Sequence, residues 1–218
     1  VIAVQNHFNN RHELAAGLAT AVAAALSRCI SEKGQAVLAV SGGSTPALFF
    51  SSLSRTSISW EKTIVTLADE RQVEDDSHRS NARLVRHALL RNRAAQARFV
   101  PLAGNTAEAA RLHLDTVVLG MGEDGHTASL FPGGDNLGRA LALNSDCAIY
   151  TMEAPGAGEA RLTYALPKLI AASRLFLHIE GKKKWQVLEA AMAGRDELAM
   201  PIRAFLHSPS PMHLYWCP

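Results

Sequence analysis

Ala36-Val37-Leu38-Ala39-Val40-Ser41-Gly42-Gly43-Ser44-Thr45-Pro46 passes without a break from five apolar residues into a loop of glycines and hydroxyls. Five consecutive apolar, β-prone residues are what a strand buried on both faces requires, and parallel sheets are built from such strands. The segment after it reads as a turn into a helix, with Pro46 suited to a first helical position. Two further runs repeat the pattern. The run at 63–68 leads into Asp69-Glu70-Arg71, and that at 116–119 leads into Gly120-Met121-Gly122-Glu123-Asp124-Gly125-His126-Thr127. In an open parallel sheet, ligands bind outside the carboxyl ends of the strands. Three chemically loaded segments on one edge can therefore converge although they are distant in sequence.

Outward from these runs, further strands are expected at 147–152, 175–179 and 213–216. Helical patterns fall near 10–30, 46–54, 78–91, 105–113 and 183–193; in the first, Leu14, Leu18, Val22, Leu26 and Ile30 recur at near-helical spacing. Pro167 is expected to open a short helix. Strands alternating with helices predict an α/β fold: a single-domain, mostly parallel Rossmann-like sheet with helices on both faces. No repeat or linker divides the chain, so residues 1–218 are expected to form one domain, with loops at 132–134 and 155–158.

Composition limits the function classes. With 48% hydrophobic and 19% charged residues the chain can bury a substantial core, which excludes disorder. Its 22 Lys and Arg against 20 Asp and Glu leave a net charge of +2, with both signs scattered, so nucleic acid and membrane surfaces are not expected partners. Cys29, Cys147 and Cys217 are odd in number, far apart and without zinc-ligand spacing, which fits inert thiols in a reducing interior. Residues 1–10 lack the basic and apolar regions of a signal peptide. The uncharged stretch at 14–26 falls short of the roughly 20 residues that span a bilayer. A cytoplasmic location is expected.

The strand-end motifs point to chemistry. In 41–46, glycines let backbone amides approach an anion and a helix start adds donors, so Ser41, Gly42, Gly43, Ser44 and Thr45 are candidates to cradle a phosphate. The plainer reading is a turn capped by Ser44 or Thr45. No Gly-Lys-Ser/Thr follows, so this is not a nucleotide-triphosphate loop. The segment 120–125 matches GxGxxG, with Asp146 about 20 residues on, yet the proline at 132 leaves little room for the helix a dinucleotide site requires. An acid and a histidine inside that loop suit proton transfer instead. His126 stands beside Asp124 on a loop at a strand end, and an ordinary imidazole takes and returns a proton near neutral pH. Asp69 and Arg71 are either a solvated pair or substrate ligands. Lys182-Lys183-Lys184 oppose the dipole of the helix they open, which an anion would relieve. No GxSxG or HExxH occurs, so serine-hydrolase and zincin chemistry have no foothold.

Taken together, SGGSTP at 41–46, ADER at 68–71, LGMGEDGHTASLFPG at 119–133, RLTYALP at 161–167 and EGKKKW at 180–185 resemble the 6-phosphogluconolactonase family, within the wider group of glucosamine-6-phosphate deaminase-like folds. The resemblance implies hydrolysis of 6-phospho-D-glucono-1,5-lactone in the pentose phosphate pathway, with no metal and no organic cofactor. It implies His126 as the base on water and then the acid for the ring oxygen, and Arg71 against the developing negative charge. It also implies that Ser41 to Thr45, Arg161 and Lys184 hold the 6-phosphate. Asp69 and Asp124 fall on positions that are acidic across the group, and either is a candidate partner of His126. The expected partner is a small sugar-phosphate lactone, and the expected assembly is a monomer or weak homodimer.

Two rivals differ in chemistry. A glucosamine-6-phosphate deaminase would resemble this chain at the glycine loop, but there the segment after Gly-His runs into Asn-Glu-Pro. Here Leu130-Phe131-Pro132 replaces it, and Phe131 stands at the glutamate's position. A non-catalytic sugar-phosphate sensor would bind without turnover and would normally need an output module, for which the sequence shows no helix-turn-helix segment.

Overall fold

The structure is a computed structural model that describes residues 2–218. Its strands are β1 (Ile2–His7), β2 (Ala36–Val40), β3 (Thr63–Leu67), β4 (Asp69–Arg71), β5 (Arg98–Val100), β6 (Thr116–Leu119), β7 (Ile149–Met152), β8 (Arg161–Tyr164), β9 (Arg174–Glu180) and β10 (Met212–Cys217). The helices are α1 (Arg11–Lys33), α2 (Ala47–Leu53), α3 (Asn81–Ala88), α4 (Thr106–Arg111), α5 (Leu137–Leu141), α6 (Leu166–Ile170), α7 (Lys182–Ala193) and α8 (Ile202–His207).

Seven strands form one sheet in the order β1-β10-β9-β6-β2-β3-β5, and every neighbouring pair in it is parallel. The reason is visible in the strands: β2, β3 and β6 are buried at every position, as strands covered on both faces must be. From β2 the chain moves outward through β3 to β5, then returns to the other side of β2 with β6 and continues to β9 and β10. The strand order therefore reverses between β2 and β6. Such a switch point opens a crevice at the carboxyl ends, where the loops of neighbouring strands part in opposite directions.

Helix α1 begins where the Asn10 side chain accepts from the amides of His12 and Glu13, and ends at Gly34, whose φ of 82° few other residues adopt. By length and composition α1 would pass for a membrane span. Its leucine face says otherwise: Leu14, Leu18, Val22 and Leu26 are fully buried in the core. Each such side chain contributes roughly 1.5–3 kcal/mol by leaving water. Pro167 sits in the first turn of α6, as the sequence suggests.

A second sheet was not legible. β4, β8 and β7 form a three-stranded antiparallel unit, so the expected strand at 147–152 lies outside the main sheet and begins only at Ile149. Asp69-Glu70-Arg71, read as a polar segment after a strand, is itself a strand. β1, β5, β8 and α8 were likewise not anticipated; β5 is three residues long and β8 carries an arginine and two threonine or tyrosine hydroxyls, giving little apolar pattern to read. The helix expected at 78–91 is shorter, Asn81–Ala88, because Ser80 caps it.

Candidate active site

The crevice at the switch point holds a cavity of about 210 Å³. The loop after β2, the loop after β6, strand β4, the start of β8 and the first turn of α7 all reach its wall. The three strand-end segments do converge.

The loop after β2 is tied to the neighbouring strand by the Ser41 amide, which donates to the Val118 carbonyl at 3.0 Å. Gly43 takes a φ of 97°, and a Cβ on Gly42 would overlap the Asn81 side chain, so two glycines are required for different reasons. Pro46 occupies the N-cap of α2 with no side-chain cap, so the capping role considered for Ser44 or Thr45 is not used. Ser41 Oγ is buried without a hydrogen-bond partner among the described residues. The loop thus presents glycine backbone and hydroxyls to the cavity, the surface a phosphate accepts.

Strand alternation sorts the acidic segment. Asp69 and Arg71 face the cavity, while Glu70 points away and accepts from the amides of Asn81 and Ala82, both at 2.7 Å, at the start of α3. Asp69 Oδ2 accepts from Ser129 Oγ at 2.6 Å. Arg71 lies directly opposite Arg161 in the β4–β8 register, and the Nε atoms of both are buried without partners. Like charges opposite one another on paired strands repel, and each unsatisfied donor adds a penalty. Burial and then the charge of Arg71 push the Arg161 guanidinium below its ordinary value. A negative charge in the cavity would offset the repulsion between the two guanidinium groups.

In the loop after β6, Asp124 Oδ1 lies 2.5 Å from His126 Nδ1 and also accepts from the His126 amide at 3.1 Å. Burial pushes the Asp124 carboxyl up, but the hydrogen bonds and charge of His126 outweigh it, and the group is held below the usual carboxylate range. Asp124, not Asp69, is the partner of His126. No described residue hydrogen-bonds His126 Nε2, so that nitrogen is free to bond on a ring lining the cavity. Gly125, at φ 79°, lets the chain turn back, and no helix follows before α5. The GxGxxG match is thus a turn that presents a histidine.

Of the three lysines opening α7, Lys183 pairs with Glu123, and Lys184 lines the cavity without an ion pair among the described residues. Burial pushes the Lys184 ammonium below its ordinary value against the opposing pull of Glu180 and Glu123.

Two cavity residues escaped the sequence. His178, buried at 3% exposure, bonds Glu180 at 3.1 Å, and Glu180 accepts from Arg11 Nε at 2.5 Å. The only signal was a histidine near the end of an apolar strand. Asn81 donates to the Asp69 carbonyl at 2.9 Å and packs against Gly42. Nothing local marked it.

Similarity to known proteins agrees with this geometry. Residues 9–216 match the family described as glucosamine-6-phosphate isomerases/6-phosphogluconolactonase. The 6-phosphogluconolactonase of Rhizobium meliloti (strain 1021) is 52% identical over 225 aligned positions, covering 97% of each chain. That of Mesorhizobium japonicum is 48% identical, covering 98% of this chain and 94% of its own. The crystal structure of a 6-phosphogluconolactonase from Shewanella baltica OS155 superposes with a TM-score of 0.93 at 37% identity, covering 99% of this chain and 97% of that one. A fold, a crevice at the switch point and a sequence match along nearly the whole chain lead to one statement: the chain belongs to the glucosamine-6-phosphate isomerase/6-phosphogluconolactonase family.

Proposed function

We propose that this chain hydrolyses 6-phospho-D-glucono-1,5-lactone to 6-phospho-D-gluconate, the activity for which its relatives are named. The observation that carries the reading is the His126 ring, held through Nδ1 by Asp124 at 2.5 Å and free at Nε2 within a cavity rich in cations.

With the proton on Nδ1 facing Asp124, the neutral ring keeps a lone pair on Nε2. A water between Nε2 and the lactone carbonyl gives its proton to Nε2 as its oxygen bonds the carbonyl carbon. Arg71 faces the oxyanion that forms. Collapse breaks the bond from that carbon to the ring oxygen, which takes the proton from Nε2 and leaves as a hydroxyl. One water enters and one ester bond opens. A positioned base supplies typically ~10²–10⁴-fold, and one donor to the oxyanion about 10²–10³-fold. These suffice for an ester already prone to opening, so the proposal needs no metal and no organic cofactor.

Binding at the far end fixes the lactone against the base. Ser41, Gly42, Gly43, Ser44, Thr45, Arg161 and Lys184 hold the 6-phosphate, and Asp69, fixed by Ser129, balances the charge of the arginine pair. The reaction takes place in the cytoplasm, a reducing setting that suits three unpaired cysteines. A coupled assay tests the whole reading: fresh lactone should be converted to 6-phosphogluconate well above its spontaneous rate. Ammonia release from glucosamine 6-phosphate, or binding without turnover, would overturn it.

A further inference from the structure

His126 comes from the loop after β6 of the main sheet and Arg161 from strand β8 of the second sheet, yet both rest on one side chain. The His126 imidazole lies on the Phe131 ring with centroids 4.2 Å apart and planes tilted by 31°, and the Arg161 guanidinium carbon stands 5.3 Å over the same ring. Phe131 itself is 4% exposed and does not line the cavity. It sits behind the base and behind a phosphate cation at once.

The chain takes trouble to bring it there. Only four residues separate His126 from Phe131, and they fold back on themselves. Thr127 Oγ1 donates to the Gly120 carbonyl at 2.8 Å, and the Leu130 amide donates to the Thr127 carbonyl at 3.0 Å, closing a bridge between the two residues. Between them Ala128 adopts a φ of 49°, a conformation unfavourable for a residue with a Cβ. The Gly134 amide then donates to the Phe131 carbonyl at 3.0 Å and fixes the ring's own backbone.

We propose that Phe131 is a positioning residue that sets the imidazole plane of His126 and the guanidinium of Arg161 in one frame, so that the base and the phosphate contact are registered on a single substrate. This rests on the roles assigned above to His126 and Arg161. A flat aromatic face suits both partners: it stacks on an imidazole, and its quadrupole attracts a guanidinium. An aliphatic side chain fills the same space without either directional contact. Because the two partners serve different steps, the loss has a double signature.

The test compares Phe131→Leu with Phe131→Tyr, which keeps the ring. In Phe131→Leu, kcat should fall about tenfold as the base loses its plane, and KM should rise about threefold as Arg161 loosens. Phe131→Tyr should stay near wild type in both. By NMR, the His126 ring protons should lose the aromatic ring-current shift in the leucine variant and keep it in the tyrosine variant. A fall in kcat alone, the mark of a reduced folded fraction, would overturn the proposal. So would two unchanged constants, or equal losses in both variants. Should the wild type fail to open the lactone, the reading of the reaction falls. The His126 resonances and the affinity for inorganic phosphate then decide the role of Phe131.

Discussion

Two glycine-bearing loops leave adjacent strands at the switch point, and they have opposite chemistry. The loop of 41–45 after β2 carries hydroxyls and open backbone and runs directly into α2. That of 120–126 after β6 closes on itself, with the Gly122 amide donating to the His126 carbonyl at 2.9 Å, and its acid and histidine bond each other. The first is shaped to accept an anion through many weak donors. The second is shaped to fix one ring nitrogen and free the other. Glycine content therefore says only that backbone must turn or be approached closely; the polar residues between the glycines decide what is bound.

The comparison can be broken at several points. His126→Ala removes the free nitrogen and should lower kcat for the lactone by at least ~10²-fold with little change in KM; steady-state kinetics showing wild-type turnover would sink the base assignment. Asp124→Asn leaves the ring but loosens its plane and tautomer, so a smaller fall in kcat, roughly 10–10²-fold, is expected in the same assay. The other loop should respond in KM. Lys184→Ala removes a charged phosphate contact and should raise KM about tenfold with kcat largely kept. An unchanged KM would mean that another cation carries the phosphate. Gly42→Ala drives a Cβ into Asn81 and should raise KM several-fold, about fivefold; adding Asn81→Ala should return part of that loss, because the second change vacates the space.

The smallest effect concerns pH. The folded Asp124 carboxyl sits below its ordinary range, so its contact with His126 adds stability that is complete above the unfolded value near pH 4 and is lost as pH falls through the folded one. Acid unfolding of wild type and Asp124→Asn should therefore diverge at neutral pH and converge in strong acid. Convergence at neutral pH would show that the contact adds nothing to stability.

Much of this could be read from residues. Ala36–Val40 and Thr116–Leu119 are uninterrupted β-prone runs, and such runs have few alternatives to the middle of a parallel sheet. His126 beside Asp124 was legible because only Gly125 separates them and the local turn alone brings them together. The pairing of Arg71 with Arg161 was not, since they stand ninety positions apart and no apolar pattern marks either strand. The closeness of Asn81 to Gly42, and of Phe131 to Arg161, was hidden for the same reason.

What the sequence by itself determined, then, is a set of parts whose cause is local: the buried central strands, the turns their glycines permit and the acid that holds its histidine. Tertiary structure alone decided which parts face one another. It placed two arginines opposite across a second sheet, left their Nε atoms without partners, and put one phenyl ring behind both the base and a cation. The physical reason is that hydrogen bonding and periodicity act over a few residues, whereas packing and charge act through space, and no local pattern records which distant residues the strand order makes neighbours.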